Sequence, residues 1–385
     1  MNRGIFVFLG AVAVLGLAGL YFLQQGAALF VSRPDAEHIA FVSERGGQRD
    51  IWTMRTDGSD ARRITNDAAA DISPAWSPDA REIVSASNRE DDRYEIYVSS
   101  WNGSYTKRLT VSAGTKDLPE WGPDGKEIVC LSSGRVFVIA RATGEDLQVM
   151  PTLEQGVAES GMIFVRVGWS PKRRTLAGIV DTSGLQTAVV REDFDNPMRE
   201  TRSLTTLRDG TVETARRMEM DWSGRDYYLA VSFVGLAAKG GSPRHGIFIS
   251  DISTMSSREV FLTGSSDLGP GALAWSPDGK QIAFEMWRLG DGYPDKCIGI
   301  YLLDLNGRAL DEIEPGSLKP RVLVKGDARE PTWSPDGKNL AYTLVGADGR
   351  RDIWCAGADG KGATNLTNGD GDNSQPRWSP AVKRR

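Results

Sequence analysis

The sequence predicts an all-β fold: a seven-bladed β-propeller, closed by a strand from the C-terminus and preceded by one apolar N-terminal helix. Three observations predict this fold. A sequence unit recurs along the chain, each unit holds four strand-like segments, and the incomplete units at the two ends complement each other. Four short strands in a unit of ~50 residues are the pattern of propeller blades.

The repeat is marked by a tryptophan followed by a turn sequence that resembles Ser-Pro-Asp-Gly. The segment PAWSPDAREIVSAS at 74–87 recurs as PEWGPDGKEIVCLS at 119–132 and as PTWSPDGKNLAYTL at 331–344. Successive marker tryptophans are separated by 45, 48, 53, 53, 58 and 45 residues. We predict that these tryptophans end the innermost strands of the blades: Trp76, Trp121, Trp169, Trp222, Trp275, Trp333 and Trp378.

Each unit divides into four strands in chain order. The first ends at the tryptophan, and Pro, Asp and Gly then occupy the positions that a tight turn favours. The second strand has apolar and aromatic residues, as in Ile282-Ala283-Phe284, and the third has a signature such as Asp352-Ile353-Trp354. A hairpin signal such as Asp359-Gly360 precedes the fourth strand, which ends in a segment such as TNLT at 364–367.

The two ends of the repeat region complete one blade between them. Residues 38–65 hold the second to fourth strands of a unit, whereas 375–380 hold only a tryptophan strand. Joining them closes the ring and removes exposed sheet edges. The predicted organisation is therefore a leader at 1–32, a short linker at 33–37, a propeller at 38–380 and a basic tail at 381–385.

The leader predicts export. Residues 4–32 carry no charge, and the apolar stretch 5–23 has 19 residues. A helix of that length spans ~28 Å, close to the thickness of a bilayer's hydrocarbon core. We predict an uncleaved, single-pass signal anchor with the propeller on the periplasmic or extracellular side. The small residues at 26–28 keep open a cleaved signal peptide, which would leave a periplasmic or secreted protein.

These residues carry a family resemblance. The unit W-S-P-D-G-K-x-I-A-F, with its D-I-W and R-L-T segments, resembles the TolB-type (WD40-like, PD40) β-propeller repeat of bacterial envelope proteins. The resemblance covers nearly the whole region after the leader. It implies a propeller fold but no particular activity, because the repeat occurs in scaffolds, lyases and peptidase accessory domains. TolB resembles an α/β domain followed by a six-bladed propeller, whereas here we expect seven blades that start directly after the leader.

The composition excludes several classes of function. The formal charge of −5 gives no basic excess for nucleic acid. Only His38 and His245 exist, so a three-histidine metal site is excluded, and no G-x-S-x-G nucleophile elbow occurs. The three cysteines do not form a disulfide framework. We therefore predict a non-catalytic scaffold without cofactor.

Acidic residues point to a binding face. The loops predicted to enter the innermost strands all carry acids, and those after the second strands carry bases such as Arg89 and Arg351. We predict an acidic ring at the channel mouth that captures a basic or amine-bearing segment of an envelope protein. Solvated turn residues balanced by nearby bases are the alternative. The proposed ring is Asp71, Asp117, Asp267, Glu330 and Asp372, with Asp67, Glu154, Glu159, Glu213 and Asp370 in the same loops.

Other interpretations stay open. Asn368, Asp370 and Asp372 place oxygen ligands at alternate positions, as in a calcium loop, although the following residues depart from that pattern. Trp287 stands outside the repeat, in a predicted long loop of the same face. The alternatives to a scaffold are a saccharide hydrolase or lyase that uses carboxylates, and an accessory propeller subunit of a separate enzyme.

Overall fold

The computed structural model describes residues 31–90, 93–111, 114–142, 144, 146–149, 162–191, 202–204, 214–224, 227–236, 244–290 and 296–381. These residues form seven four-stranded antiparallel sheets, one for each predicted blade. The predicted N-terminal helix lies outside the described residues. No helix among the described residues is long and apolar enough to cross a membrane.

The innermost strands all end at a marker tryptophan, as predicted. They are β4 (Asp71–Trp76), β8 (Lys116–Trp121), β12 (Met162–Trp169), β16 (Arg217–Trp222), β20 (Leu268–Trp275), β24 (Ala328–Trp333) and β28 (Asn373–Trp378). The second strands are β1 (His38–Ser43), β5 (Glu82–Ser87), β9 (Glu127–Ser132), β13 (Leu176–Thr182), β17 (Tyr228–Leu236), β21 (Gln281–Arg288) and β25 (Asn339–Val345).

The strands in the outer half of each blade vary more in length. The third strands are β2 (Asp50–Arg55), β6 (Glu95–Ser100), β10 (Arg135–Ala140), β14 (Leu185–Arg191), β18 (Arg244–Asp251), β22 (Lys296–Asp304) and β26 (Arg351–Gly357). The fourth strands are β3 (Arg62–Arg63), β7 (Thr106–Arg108), β11 (Asp146–Val149), β15 (Arg202–Ser203), β19 (Ser256–Leu262), β23 (Arg321–Lys325) and β27 (Thr364–Asn365). A short 3-10 helix, Leu310–Glu312, precedes β23.

The predicted closure is confirmed. Blade 1 has the strand order β28-β1-β2-β3, and blades 2 to 7 follow in chain order from β4. In blade 1, Ile39 pairs with Trp378 and Ser43 pairs with Asn373. Two hydrogen bonds add to this pairing: the Ser379 amide donates to the His38 carbonyl at 2.8 Å, and the His38 amide donates to Ser379 Oγ at 3.1 Å. The C-terminal strand therefore supplies the inner edge of the first blade.

The tryptophans connect each blade to its neighbour. All seven indoles are buried, and in the described part of the chain five of them donate Nε1–H to a carbonyl of the preceding blade's inner strand. Trp121 donates to Ala75 at 3.2 Å, for example, and Trp378 donates to Thr332 at 3.0 Å. Since Trp76 donates to Arg377, this set of contacts also crosses the closure.

The Ser-Pro-Asp-Gly turn is held by its own side chains. In blade 6, Ser276 Oγ donates to Asp278 Oδ1 at 2.7 Å, and the Lys280 amide donates to the same carboxylate at 3.1 Å. Gly279 has a φ of 66°, which is why glycine suits that position. These turns and the hairpins between third and fourth strands lie on one face, which we call the bottom face; the opposite, long-loop face is the top face.

Candidate functional site: the central channel

Two residues of each inner strand face the central channel. Glu120 is exposed although it lies between the buried residues Pro119 and Trp121, and Arg377 is exposed in the same way between Pro376 and Trp378. Side chains alternate along a strand, so the residue before each buried tryptophan points into the channel. The third residue before each tryptophan is likewise partly exposed.

These positions form two rings. The lower ring is the residue before each tryptophan: Ala75, Glu120, Gly168, Asp221, Ala274, Thr332 and Arg377. The upper ring, nearer the top face, is the third residue before it: Ser73, Leu118, Arg166, Glu219, Ala272, Glu330 and Gln375.

The lower ring is acidic. Asp221 Oδ2 accepts the Trp275 amide at 2.8 Å, and Glu120 reaches toward the backbone of Gly168 in the next blade. Burial and, to a smaller extent, the nearby Glu120 charge raise the pKa of Asp221 to about 7, against the lowering effects of that amide and of Arg377. Glu120 faces the channel, where the surrounding wall partly desolvates its carboxyl group and raises its pKa, although Arg377 and Arg166 oppose the shift. The two carboxyl groups therefore lack enough positive charge nearby to compensate for desolvation.

The upper ring is held by a chain of hydrogen bonds that runs from blade to blade. The Glu330 amide donates to Glu285 Oε1 at 2.8 Å, and the Gln375 amide donates to Glu330 Oε2 at 2.7 Å. The Ser73 amide then donates to Gln375 Oε1 at 2.8 Å, while Ser73 Oγ donates to Asp117 Oδ1 at 2.9 Å. The chain thus joins blades 6, 7, 1, 2 and 3 along the channel wall.

An unusual backbone conformation makes this chain possible. Ser73, Leu118, Glu330 and Gln375 all have φ between 52° and 57°. Each of them precedes a proline, and the pairing with the second strand shifts by a bulge around these positions in blades 1, 2, 3 and 7. Left-handed residues other than glycine are strained, and such strain clusters at functional sites. In three of these blades the amide is thereby directed at a neighbouring side chain.

In blades 4 and 5, the upper ring contains an ion pair. Arg166 of blade 4 donates Nε–H to Glu219 Oε2 of blade 5 at 2.8 Å and Nη2–H to Oε1 at 3.2 Å. This bidentate pair neutralises two of the ring's charges. Apart from this pair, the two rings contain three acidic residues and one basic residue. The acids are Glu120, Asp221 and Glu330, and the base is Arg377. The described channel is therefore acidic.

The structure brings together two of the five predicted ring acids. Asp117 and Glu330 lie in the inner strands β8 and β24, rather than in loops, and belong to the hydrogen-bond chain of the upper ring. Asp117 also accepts the Leu118 amide at 2.6 Å. Thr343 donates to Glu330 Oε2 at 2.7 Å.

The other three predicted acids lie apart from the channel chain. Asp71 is fully buried at the start of β4, where Arg89 contacts it at 3.0 Å; burial raises its pKa despite this arginine. Asp372 accepts Nε–H of Arg351 at 2.9 Å, and this bond lowers the pKa of Asp372. Asp267 is exposed in a loop beside Ser265, whose hydroxyl lowers its pKa. Glu154, Glu159 and Glu213 lie outside the described residues.

Several of the predicted acids and bases form ion pairs with each other. Arg89 contacts Asp67 and Asp71, and Arg45 contacts Asp370 at 3.1 Å. Asp370 and Asp372 of the calcium-like segment are therefore both engaged with arginines. Within the described ranges, no group of three His, Cys, Asp or Glu residues is arranged to hold a metal ion.

Trp287 lies in a different place from the predicted one. It is part of strand β21 and not of a loop, because the second strand of blade 6 extends to Arg288. Its Nε1–H donates to Glu285 Oε2 at 2.8 Å, and the guanidinium of Arg329 lies 5.0 Å from its ring. A side chain at Gly271 would collide with both Trp287 and Glu285. His245 is half-buried near the start of strand β18.

Five residues of the two rings were not predicted as site residues: Glu120, Asp221, Arg166, Glu219 and Arg377. A signal for them was present, since each lies one or three positions before a marker tryptophan. Counting alternate residues back from the buried tryptophan would have placed Glu120 and Asp221 in the channel.

Comparisons with known proteins agree with this fold. A family model described as the TolB beta propeller domain (PD40) matches residues 25–161. Tol-Pal system protein TolB of Anaeromyxobacter dehalogenans (strain 2CP-C) is 45% identical over 14% of this chain and 12% of that protein. The uncharacterized protein Atu1656 of Agrobacterium fabrum is 34% identical over 37% of this chain and 57% of that protein. The chain thus matches only part of the length of these curated relatives.

A solved structure shows the same architecture. TolB from Acinetobacter baumannii superposes with a TM-score of 0.54 at 18% identity, covering 94% of this chain and 70% of that chain. Similarity at this identity concerns the fold. The chain is thus similar to the TolB beta propeller domain family over residues 25–161, and the TolB relatives align with it over a small part of their length.

Proposed function

We propose that the protein is an exported, membrane-anchored propeller that binds a partner segment carrying basic side chains at its central channel. Anchoring is supported by the uncharged stretch 4–32, and the envelope setting by the TolB-type repeat. The observation that carries the binding site is the pair Glu120 and Asp221, which lie on the channel wall with raised pKa values.

The proposed attraction between the channel and a basic side chain is electrostatic. Carboxylates on the walls of a narrow channel concentrate cations there, since low-dielectric protein surrounds the field. A lysine or arginine side chain entering the channel would supply the positive charge that Glu120 and Asp221 lack. Glu330 of the upper ring, and Asp117, which accepts a hydrogen bond from Ser73 of that ring, add negative charge toward the top face.

Binding of a fluorescently labelled penta-lysine peptide tests the site. We expect salt-sensitive binding that weakens about tenfold or more in the double variant Glu120→Gln/Asp221→Asn, which corresponds to ~1.4 kcal/mol. Fluorescence anisotropy titrations measure it. The matched control is Asp311→Asn/Glu314→Gln, which removes the same charges from exposed residues near the short 3-10 helix.

Two results would contradict the proposal. Equal affinities of the wild type and the channel variant would exclude Glu120 and Asp221 as the binding groups. In cells, capture of the same envelope proteins after joint neutralisation of Asp71, Asp117, Glu330 and Asp372 would exclude the predicted acidic ring. Thermal melts of each variant establish that it folds before its binding is compared.

A further inference from the structure

Residues 31–37 form a strap across the bottom face. Val31 is buried among side chains of blades 1 and 2, including Ala80 in the turn that follows Trp76. The Ser32 carbonyl accepts Nε1–H of Trp101 at 2.8 Å, and Trp101 lies in the bottom hairpin between β6 and β7. The predicted linker is therefore attached to the propeller over part of its length.

Further contacts continue the attachment to the start of β1. Asp35 pairs with Arg55, at the bottom end of β2, with an Oδ2–Nη2 distance of 3.0 Å. Pro34 is buried, and the ring of His38 lies 5.0 Å from that of Trp101. The strap thus spans the bottom turns of blades 1 and 2, where Val31 already belongs to the packed core.

The tether that remains before the strap is short. Seven residues, 24–30, separate the apolar stretch 5–23 from Val31. Fully extended, this segment reaches at most ~29 Å. Strands of six residues, ~17–20 Å long, separate the top face from the bottom face. A propeller with its top face toward the bilayer would therefore need most of the fully extended tether just to run alongside a blade, whereas the opposite orientation needs no such extension.

From this geometry we propose that the bottom face is the face turned toward the bilayer, with the top face and its channel mouth directed away from it. The inference rests on the proposed membrane anchor. It gives the bottom turns a lipid surface as their neighbour and leaves the top end of the channel open to a partner from the aqueous side. A partner embedded in the same bilayer would have to extend past the propeller to reach that end.

Fluorescence quenching in vesicles tests the orientation. The full chain, with Cys355→Ala in the background, is reconstituted into vesicles of phosphatidylethanolamine, phosphatidylglycerol and a lipid that carries a nitroxide quencher on its headgroup. Single cysteines for the fluorophore replace exposed residues in matched pairs from one blade each. These are Asn102→Cys (bottom) with Arg93→Cys (top) in blade 2, and Lys361→Cys (bottom) with Asp348→Cys (top) in blade 7.

We expect at least twofold stronger quenching at the bottom position of each pair. Vesicle flotation in the same samples separates the two hypotheses. A chain that floats but shows equal quenching at top and bottom, or the reverse order, overturns the orientation while leaving the anchor intact. A chain that does not float overturns the anchor, and the orientation with it. Labelled variants whose thermal melts match the wild type provide the valid comparisons.

Discussion

At the scale of single residues, the charges of the channel wall are not equivalent. Arg166 and Glu219 form a bidentate pair, so each has a partner of opposite sign. Asp221 accepts one backbone amide and faces the negative charge of Glu120. Desolvation and like charge both favour the protonated form of a carboxyl group. Under the proposed function, binding of a cation near Asp221 would therefore be coupled to release of its proton.

The raised pKa of Asp221 predicts that the stability of the fold depends on pH. The pKa of Asp221 is about 7 in the folded chain, against an ordinary value of 3.8. Between these values the folded state binds more protons than the unfolded state, so this group's contribution to the free energy of unfolding falls as pH rises from about 4 to about 7. In Asp221→Asn that loss disappears, while the amide oxygen still accepts the Trp275 N–H.

Urea unfolding at pH 5 and pH 8 measures the effect. We expect Asp221→Asn to gain ~1–2 kcal/mol relative to the wild type between the two pH values, a figure reduced because the Asp221 side chain is partly exposed. Asp311→Asn, at an exposed site, is the control and should show no such gain. A stability difference that stays constant with pH would show that the Asp221 pKa is not raised in this way.

At the scale of strands, the most regular sequence signals hold the blades together. The acid of the third strand and the threonine after the fourth strand form a repeated contact. Thr367 Oγ1 accepts the Ile353 amide at 3.0 Å and donates to Asp352 Oδ1 at 2.6 Å. Thr65 and Thr110 make the same contacts in blades 1 and 2. The D-I-W and T-N-L-T segments are thus joined by these hydrogen bonds.

Breaking this contact should be costly. Thr367→Val keeps the size of the side chain but leaves the Ile353 amide without its acceptor inside a buried strand. An unsatisfied buried amide costs ~1–3 kcal/mol, and we expect a loss of that size in the free energy of unfolding. Urea denaturation measures it. Thr364→Val, an exposed residue of β27, is the matched control; equal losses in the two variants would argue against the role of the contact.

The blades could be predicted from the sequence, whereas the channel could be predicted only in part. Tryptophan spacing and the split repeat predict the blades and their closure, because those signals recur in every unit. The channel was harder to predict. In four inner strands a left-handed residue before proline introduces a bulge, so simple alternation does not assign the residues above it to a face. Asp71 and Asp117 were predicted in one ring because both were assigned to loops that enter inner strands, but Asp71 is buried and Asp117 contacts the channel chain.

At the scale of the whole molecule, stability depends on the ring being closed. Strand β28 pairs with β1, and the Trp378 and Trp76 indoles connect blade 1 to blades 7 and 2. Without β28, the edge of β1 from Ile39 to Ser43 loses its partner, and an open edge of this kind promotes association between chains. The last strand is therefore required for a closed monomer.

Removal of this strand gives a prediction for the complete fold. A chain that ends at Gly371 lacks β28, whereas one that ends at Ala381 retains it together with the Ser379 contacts to His38. We expect the first to lose its single cooperative thermal transition and to self-associate, and the second to behave like the full chain. Addition of a peptide with the sequence of 371–381 should restore the transition, since it returns the missing strand and both indole contacts. Calorimetry and light scattering measure these outcomes. A monomeric, cooperatively unfolding chain that ends at Gly371 would mean that six complete blades close without the split one.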